Sequence, residues 1–225
     1  MSARTELEAI IKTHRTRAGA PQSMPRDWVM QQVDAPTARR AAVLMLFGHH
    51  DSGPLRDDSP ADELDLLFVT RAATLRNHAG QIAFPGGGID PEDDSPAAAA
   101  LREAEEETGV RTDGIQVLGQ LSDAELPITN FLVTPVIGWW QQESEVYPVD
   151  PGESQDVFRA PVAELLNPHN RLSAVVSRGR QRFSAPAFDY EGRIIWGFTA
   201  IVLDRLFNEL GWTRHWDTAR EIKMA

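Results

Sequence analysis

The chain contains no cysteine. That excludes a disulfide framework, a thiolate metal site and a cysteine nucleophile, and it fits a reducing, cytoplasmic location. No apolar run approaches the length of a membrane span, and the first residues lack the apolar core of a secretory signal. Cations are in the minority: 22 Lys and Arg stand against 33 Asp and Glu, for a formal net charge of −11. Such a chain repels long nucleic acids, and it carries no recognisable DNA-reading motif. A small anionic substrate is not excluded, because a metal ion and a few arginines can invert the local potential. No internal repeat is evident. What is present is 42% hydrophobic residues over 225 positions, enough for one sizeable core with appendages.

The stretch FPGGGIDPEDDSPAAAALREAEEETGV, residues 84–110, organises the rest. It opens with a tight glycine turn, crosses an acidic loop and enters a helix. Ser95 followed by Pro96 reads as an N-cap with a first-turn proline, and Gly109 is placed to end the helix in a left-handed cap. At ~100° per residue, Glu103, Glu106 and Glu107 share one arc of about 100°. Ala97, Ala100, Leu101 and Ala104 share a neighbouring arc, where small side chains allow close packing, and Glu105 points away from both. Like charges at this spacing cost a few tenths of a kcal/mol per pair, and anions near a helix C-terminus are disfavoured. Both penalties vanish if a hard divalent cation sits among the carboxylates, and oxygen-only ligands suit Mg²⁺ or Mn²⁺. The alternative is a solvated acidic helix end.

Around that stretch the pattern alternates between strands and helices. Residues 1–36 read as an N-terminal helical arm, for packing or a homodimer contact, with helices over residues 6–13 and 26–32. Strands are expected at 41–47, 64–70, 81–84, 115–121, 131–140 and 156–160, with a hairpin around Glu191-Gly192. Pro135 suggests a bulge or an edge position. Residues 123–130 and 141–152 read as loops. His49, His50 and Asp51 invite a metal reading but lie in a turn-rich segment without further ligand spacing. Trp139 and Trp140 read as packing residues, with base stacking as the alternative. Arg171, Arg178, Arg180 and Arg182 form a local basic patch, residues 198–210 an amphipathic helix, and residues 212–225 a tail. A main domain over residues 37–211 follows, with a mixed sheet covered on both faces.

The 84–110 stretch resembles the Nudix box, GX5EX7REUXEEXGU. Gly88 is its first glycine, Arg102-Glu103 its RE pair, Glu106-Glu107 its EE pair and Gly109-Val110 its end. Asp94 replaces the first glutamate, and Ala104 occupies an aliphatic position. The resemblance covers roughly residues 38–210 and implies the α/β/α Nudix sandwich, within the α/β (α+β) class. Just upstream, Leu67 to Ala72, Arg76, Gly80 and Phe84-Pro85-Gly86-Gly87 are similar to the coenzyme A pyrophosphatase signature LLTXR(S/A)X3RX3GX3FPGG. Phe68 and Val69 depart from its leading LLT.

The resemblance implies Mg²⁺- or Mn²⁺-dependent hydrolysis of coenzyme A or acyl-coenzyme A to 3′,5′-ADP and 4′-phosphopantetheine. Glu103, Glu107 and Glu106 would bind metal. Glu106 is ligand or base, with Glu153 as a second candidate base, and Arg102 is braced by the first acid of the box, here Asp94. Arg71 and Arg76 would meet the 3′-phosphate, and His78 would touch phosphate or cap its loop. Gly80, Gly86 and Gly87 would let backbone approach the substrate. Hydrolysis of ADP-ribose or another nucleoside diphosphate, and a non-catalytic nucleotide-sensing module, are the rival readings. Neither nucleic acid nor membrane is expected as a partner.

Overall fold

The apolar run at residues 41–47 forms the middle of a sheet with helices on both faces. The computed structural model describes residues 2–16, 33–34, 37–49, 55–74, 78–126, 129–179 and 181–224. The helix expected over 26–32, together with His50, Asp51, Arg76 and Arg180, lies outside the described residues. In chain order the elements are α1 (Ala3–Thr16), β1 (Arg39–His49), β2 (Leu64–Arg71), β3 (Ile82–Ala83), β4 (Gly86–Gly88), α2 (Pro96–Thr108), β5 (Ile115–Gln120), β6 (Ala124–Leu126), β7 (Phe131–Trp140), β8 (Ser154–Pro161), α3 (Val162–Leu165), β9 (Arg171–Arg178), β10 (Gln181–Tyr190), β11 (Arg193–Ile195), α4 (Phe198–Glu209) and β12 (Glu221–Lys223).

The main sheet runs β3-β2-β1-β7-β5, with β4 on β1, β6 on β7 and β8 on β2. It is mixed: β1 and β7 are parallel, and the other pairs are antiparallel. Each central strand divides one edge between two neighbours. β1 gives its first half to β4 and its last residues to β2, while β7 gives its first half to β6 and the rest to β5. Of the two expectations for Pro135 the edge position is corrected, because β7 is an interior strand, and the bulge fits: Gln120 pairs with Val136 and Ala124 with Val133, so the facing chain has one more residue than β7 between those pairs. The Pro135 carbonyl accepts the Leu121 N–H at 2.9 Å, between the end of β5 and the start of β6, so the missing proline donor faces the break in the ladder. The pairing also corrects residues 123–130, where β6 pairs with the part of β7 that β5 does not reach.

Alternate residues of β1 enter different cores, as the two-residue strand period requires. Ala42, Leu44 and Leu46 meet Ala99, Ala100 and Ala104 of α2. Met45 and Phe47 join Leu7 and Ile11 of α1, Val162 and Leu165 of α3, and Leu203, Leu206 and Phe207 of α4. The mixed α+β class with a mixed sheet is therefore as expected. Trp139 and Trp140 are both fully buried, one in each core, and serve as packing residues.

A four-stranded sheet, β11-β10-β9-β12, follows. For Arg171 and Arg182 it corrects the reading of a local basic patch; the side chains of Arg178 and Arg180 lie outside the described residues. Arg171 is buried, ion-paired to Asp204 of α4, and its guanidinium lies over the rings of Phe188 and Trp216. Arg182 pairs with Glu221. The chain beyond α4 is held to α1: Trp212 packs on Phe47 and Phe207, and its Nε1–H donates to Glu6 at 2.6 Å. His14 of α1 contacts Glu209 at 2.7 Å and accepts the Ser122 N–H at 3.0 Å. Among the described residues, no helix is long and apolar enough to cross a membrane.

Candidate active site

The helix that carries the glutamates has the limits its caps predict. Ser95 Oγ accepts the Ala98 N–H at 3.1 Å, Pro96 opens the first turn, and Gly109 closes the last with φ 68°. An N-cap of this kind stabilises a helix by about 1 kcal/mol. The small face packs flat on β1, with Ala100 and Ala104 fully buried, so the glutamate face is carried close to β4.

β4 is the glycine turn, and its backbone makes contacts that a side chain would block. Gly86 has φ 154°, and a Cβ there would lie 2.3 Å from the Ala42 carbonyl oxygen and 2.6 Å from the Val43 Cα. Its N–H donates to Glu107 Oε2 at 3.0 Å. A Cβ on Gly87 would lie 2.4–2.6 Å from the Glu103 carboxylate. The turn thus seats Glu107 with one glycine and makes room for Glu103 with the next.

Arg102 ties the face together. It grips Asp93 through Nε at 3.1 Å and Nη2 at 2.9 Å, and its Nη1 reaches both Glu103 and Glu106 at 3.0 Å. Nη2 also donates to the Gly88 carbonyl at 3.2 Å. The brace is therefore Asp93, and the expectation that Asp94 would supply it is corrected. Asp93 closes a turn on Asp90, accepting its N–H at 2.8 Å, which aims the carboxylate at the helix; Asp94 is exposed. The Arg102 guanidinium holds Asp93 below the usual carboxylate range, and Asp93 in turn holds Arg102 firmly protonated.

Glu107 is the buried member, 8% exposed. Burial pushes its carboxyl up from an ordinary 4.5 to about 7, against the lowering pull of the Gly86 N–H and the Arg71 guanidinium; Glu103 and Glu153 push it further up. Burial also raises Glu103, although Arg102 opposes it. Arg71 Nη1 stands 3.8 Å from Glu107 Oε1, while Arg71 Nε is buried with no hydrogen-bond partner among the described residues. Arg71 sits at a register shift between β2 and β8, and the Glu153 carbonyl accepts the Ala72 N–H at 2.8 Å. That stitch brings the residue 150–153 turn beside Arg71 and Glu107.

The structure thus gathers Glu103, Glu107, Arg71, Gly86 and Gly87, with Glu153 close enough for its charge to act on Glu107. Glu106 is on the same helix but is largely exposed and turned onto Arg102. His78, with φ 57°, is bonded within its own loop, its Nδ1 lying 2.8 Å from Gln81 Oε1. Gly80, at φ 68°, faces open space. His49 bonds through its backbone N–H to Glu143, and its ring lies 3.7 Å from Glu63; among the described residues it belongs to no metal-like group. Among the described residues no trio of carboxylate or imidazole side chains stands in a ligating array, and Arg102 binds both Glu103 and Glu106. The donors nonetheless fit a hard cation. Glu103 and Glu107 offer hard carboxylate oxygens whose charge burial leaves under-compensated, and they lie against the backbone of the glycine turn.

Comparison with known proteins places the chain in a family. A family profile described as NUDIX domain matches residues 54–178. The chain belongs to the Nudix family. This Nudix chain is 39% identical over 148 residues to the uncharacterized Nudix hydrolase NudL of Photorhabdus laumondii, spanning 64% of its own length and 76% of the relative's. It is 38% identical over 149 residues to the protein of the same name from Cronobacter sakazakii, spanning 66% and 77%. A crystal structure of a NUDIX hydrolase from Nitrosomonas europaea superposes with a TM-score of 0.48 at 12% identity, over 83% of this chain and 80% of that one. Nudix hydrolases generally use divalent metal ions. In the Nudix chain described here, the residue that sequence reasoning missed is Asp93: only the fold of its turn distinguishes it from Asp94.

Proposed function

We propose that this Nudix chain hydrolyses the diphosphate bond of coenzyme A or its thioesters, releasing 3′,5′-ADP and 4′-phosphopantetheine or its acylated form. The observation that carries the hydrolytic part is the buried Glu107, whose charge is only partly compensated, beside Glu103 and the glycine turn. Glu103 and Glu107 would hold Mg²⁺ or Mn²⁺, with Glu106 as a further ligand once released from Arg102. A bound ion would polarise phosphorus and acidify a water. Arg102 keeps Glu103 and Glu106 on one face and is itself fixed by Asp93. Arg71, whose Nε has no partner among the described residues, would donate to a phosphate oxygen. The attacking water's oxygen bonds to one phosphorus as the bridging oxygen leaves with the other phosphate, and the water's proton passes to a carboxylate, Glu106 or, as the second candidate, Glu153. Arg76 would join Arg71 at the 3′-phosphate.

The choice of coenzyme A is supported by the run from Arg71 to Gly87, since a terminal phosphomonoester calls for clustered guanidinium groups. The test is a panel of coenzyme A, dephospho-coenzyme A, ADP-ribose and NADH with Mg²⁺, compared by kcat/KM. Coenzyme A should lead, and loss of its 3′-phosphate should lower kcat/KM. A strong preference for ADP-ribose would overturn the assignment.

A further inference from the structure

Among the described residues two large apolar side chains are conspicuously exposed, Tyr147 at 52% and Val149 at 47%. They are neighbours, separated by Pro148, in the loop that runs from β7 to Glu153. This loop is fastened to the end of the glutamate helix. The Tyr147 N–H donates to the Thr108 carbonyl at 2.9 Å, the Val149 N–H to the Glu107 carbonyl at 3.3 Å, and the Arg111 N–H to Ser144 Oγ at 3.0 Å. Tyr147 lies with its ring against Gly109, where a Cβ would come within 2.9 Å of Cζ. One side of the ring is thus seated on the helix end while much of the residue stays in solvent. Val149 hangs from the same residue whose carboxylate sits in the site. The loop then turns through Asp150, whose carbonyl accepts the Glu153 and Ser154 N–H groups at 3.0 and 2.9 Å, and delivers Glu153.

Holding apolar side chains in water costs free energy, and a fastened apolar lip bordering a site has a defined neighbour to cover it. Its electrostatic setting selects which part of a substrate that is. Glu145, Asp150 and Glu153 lie in the same loop; Glu143 is paired to Arg159, and the Arg111 guanidinium is paired to Asp113. Arg71 stands only at the Glu153 end of the loop, beside Glu107, whereas the Tyr147–Val149 end is flanked by the carboxylates of Glu145 and Asp150, so that end repels an anionic group and admits an uncharged one. We propose that Tyr147 and Val149 form an apolar lip that receives the uncharged, branched aliphatic arm on the far side of the diphosphate, and that this contact sets selectivity. The inference rests on the coenzyme A reading and adds the residues that read the pantetheine half.

The two products of the proposed reaction separate the halves. Inhibition of coenzyme A hydrolysis by 4′-phosphopantetheine and by 3′,5′-ADP is measured for wild type, the Tyr147→Ala/Val149→Ala double variant and Val149→Leu. The double variant should raise the Ki of 4′-phosphopantetheine about tenfold, the effect of losing roughly 50 Å² of apolar contact, while the Ki of 3′,5′-ADP stays within about twofold. Val149→Leu should lower the first Ki and leave the second. Equal rises in both constants would mean a merely structural loop, and no change in either would mean no contact; both outcomes overturn the lip and leave the substrate reading standing. Absence of coenzyme A turnover by the wild-type enzyme would overturn the substrate reading itself, and the lip with it.

Discussion

Replacing Glu107 with Gln should make the metal-free protein more stable and catalytically dead. The carboxyl of Glu107 ionises near 7 in the fold against 4.5 ordinarily. Below 4.5 the side chain is neutral in both folded and unfolded chains, so it imposes no penalty. As the pH rises from there, the unfolded chain gives up its proton first, and stability falls until the folded group also ionises near 7. At ~1.4 kcal/mol per pH unit, the ionised folded form at pH 8 carries a penalty on the order of 3 kcal/mol. Glutamine keeps an acceptor for the Gly86 N–H and removes the charge. In EDTA at pH 8, Glu107→Gln should therefore unfold higher by about 5–10 °C, and at pH 4 the difference should nearly vanish. Mg²⁺ should raise the wild-type transition at pH 8 and leave the variant's almost unmoved, while turnover in the variant drops by at least ~10²-fold. Thermal denaturation followed by circular dichroism reads all of this. A variant less stable than wild type at pH 8 without metal would refute the idea that Glu107 is held as an under-compensated charge.

Three further outcomes follow from the same geometry. Asp93→Asn should lower kcat about tenfold or more by loosening Arg102, whereas Asp94→Asn should change it less than about twofold; steady-state kinetics on the pair would expose a misassigned brace. Gly86→Ala should cost several kcal/mol in urea denaturation, because its Cβ meets backbone atoms of β1, while Gly87→Ala should act mainly on activity by displacing the Glu103 carboxylate. Glu106→Gln should cut kcat by ~10²-fold or more with KM little changed and abolish the acidic limb of the pH–kcat profile; loss of that limb in Glu153→Gln instead would move the base to Glu153.

What was legible in the sequence was local. The limits of α2 follow from Ser95, Pro96 and Gly109 because caps are made by neighbouring residues, and the shared face of Glu103, Glu106 and Glu107 follows from helical spacing alone. What depended on distant partners was not legible. Arg171 is withdrawn from the surface by Asp204, Phe188 and Trp216, none of them nearby in sequence. Pro135 was readable as a bulge, but not that this bulge lies in an interior strand, where two other strands end opposite it. The choice between Asp93 and Asp94 rests on a turn begun at Asp90. Arg102 drawing Glu103 and Glu106 onto itself required the three-dimensional arrangement of Asp93, Arg102, Glu103 and Glu106.

The central position of β1 has a practical bearing on dissecting this protein. The segment matched by the family profile begins at residue 54, after β1 has ended, and stops at residue 178, before α4 begins. A fragment trimmed to those limits would lack the strand on which Gly86 and α2 are seated, and would leave β7 with one naked side. The catalytic signature is thus portable as a pattern of letters but not as a piece of polypeptide. Transplants or minimal versions of this enzyme must carry the flanking 39–49 and 198–212 segments to have anything for the signature to rest on.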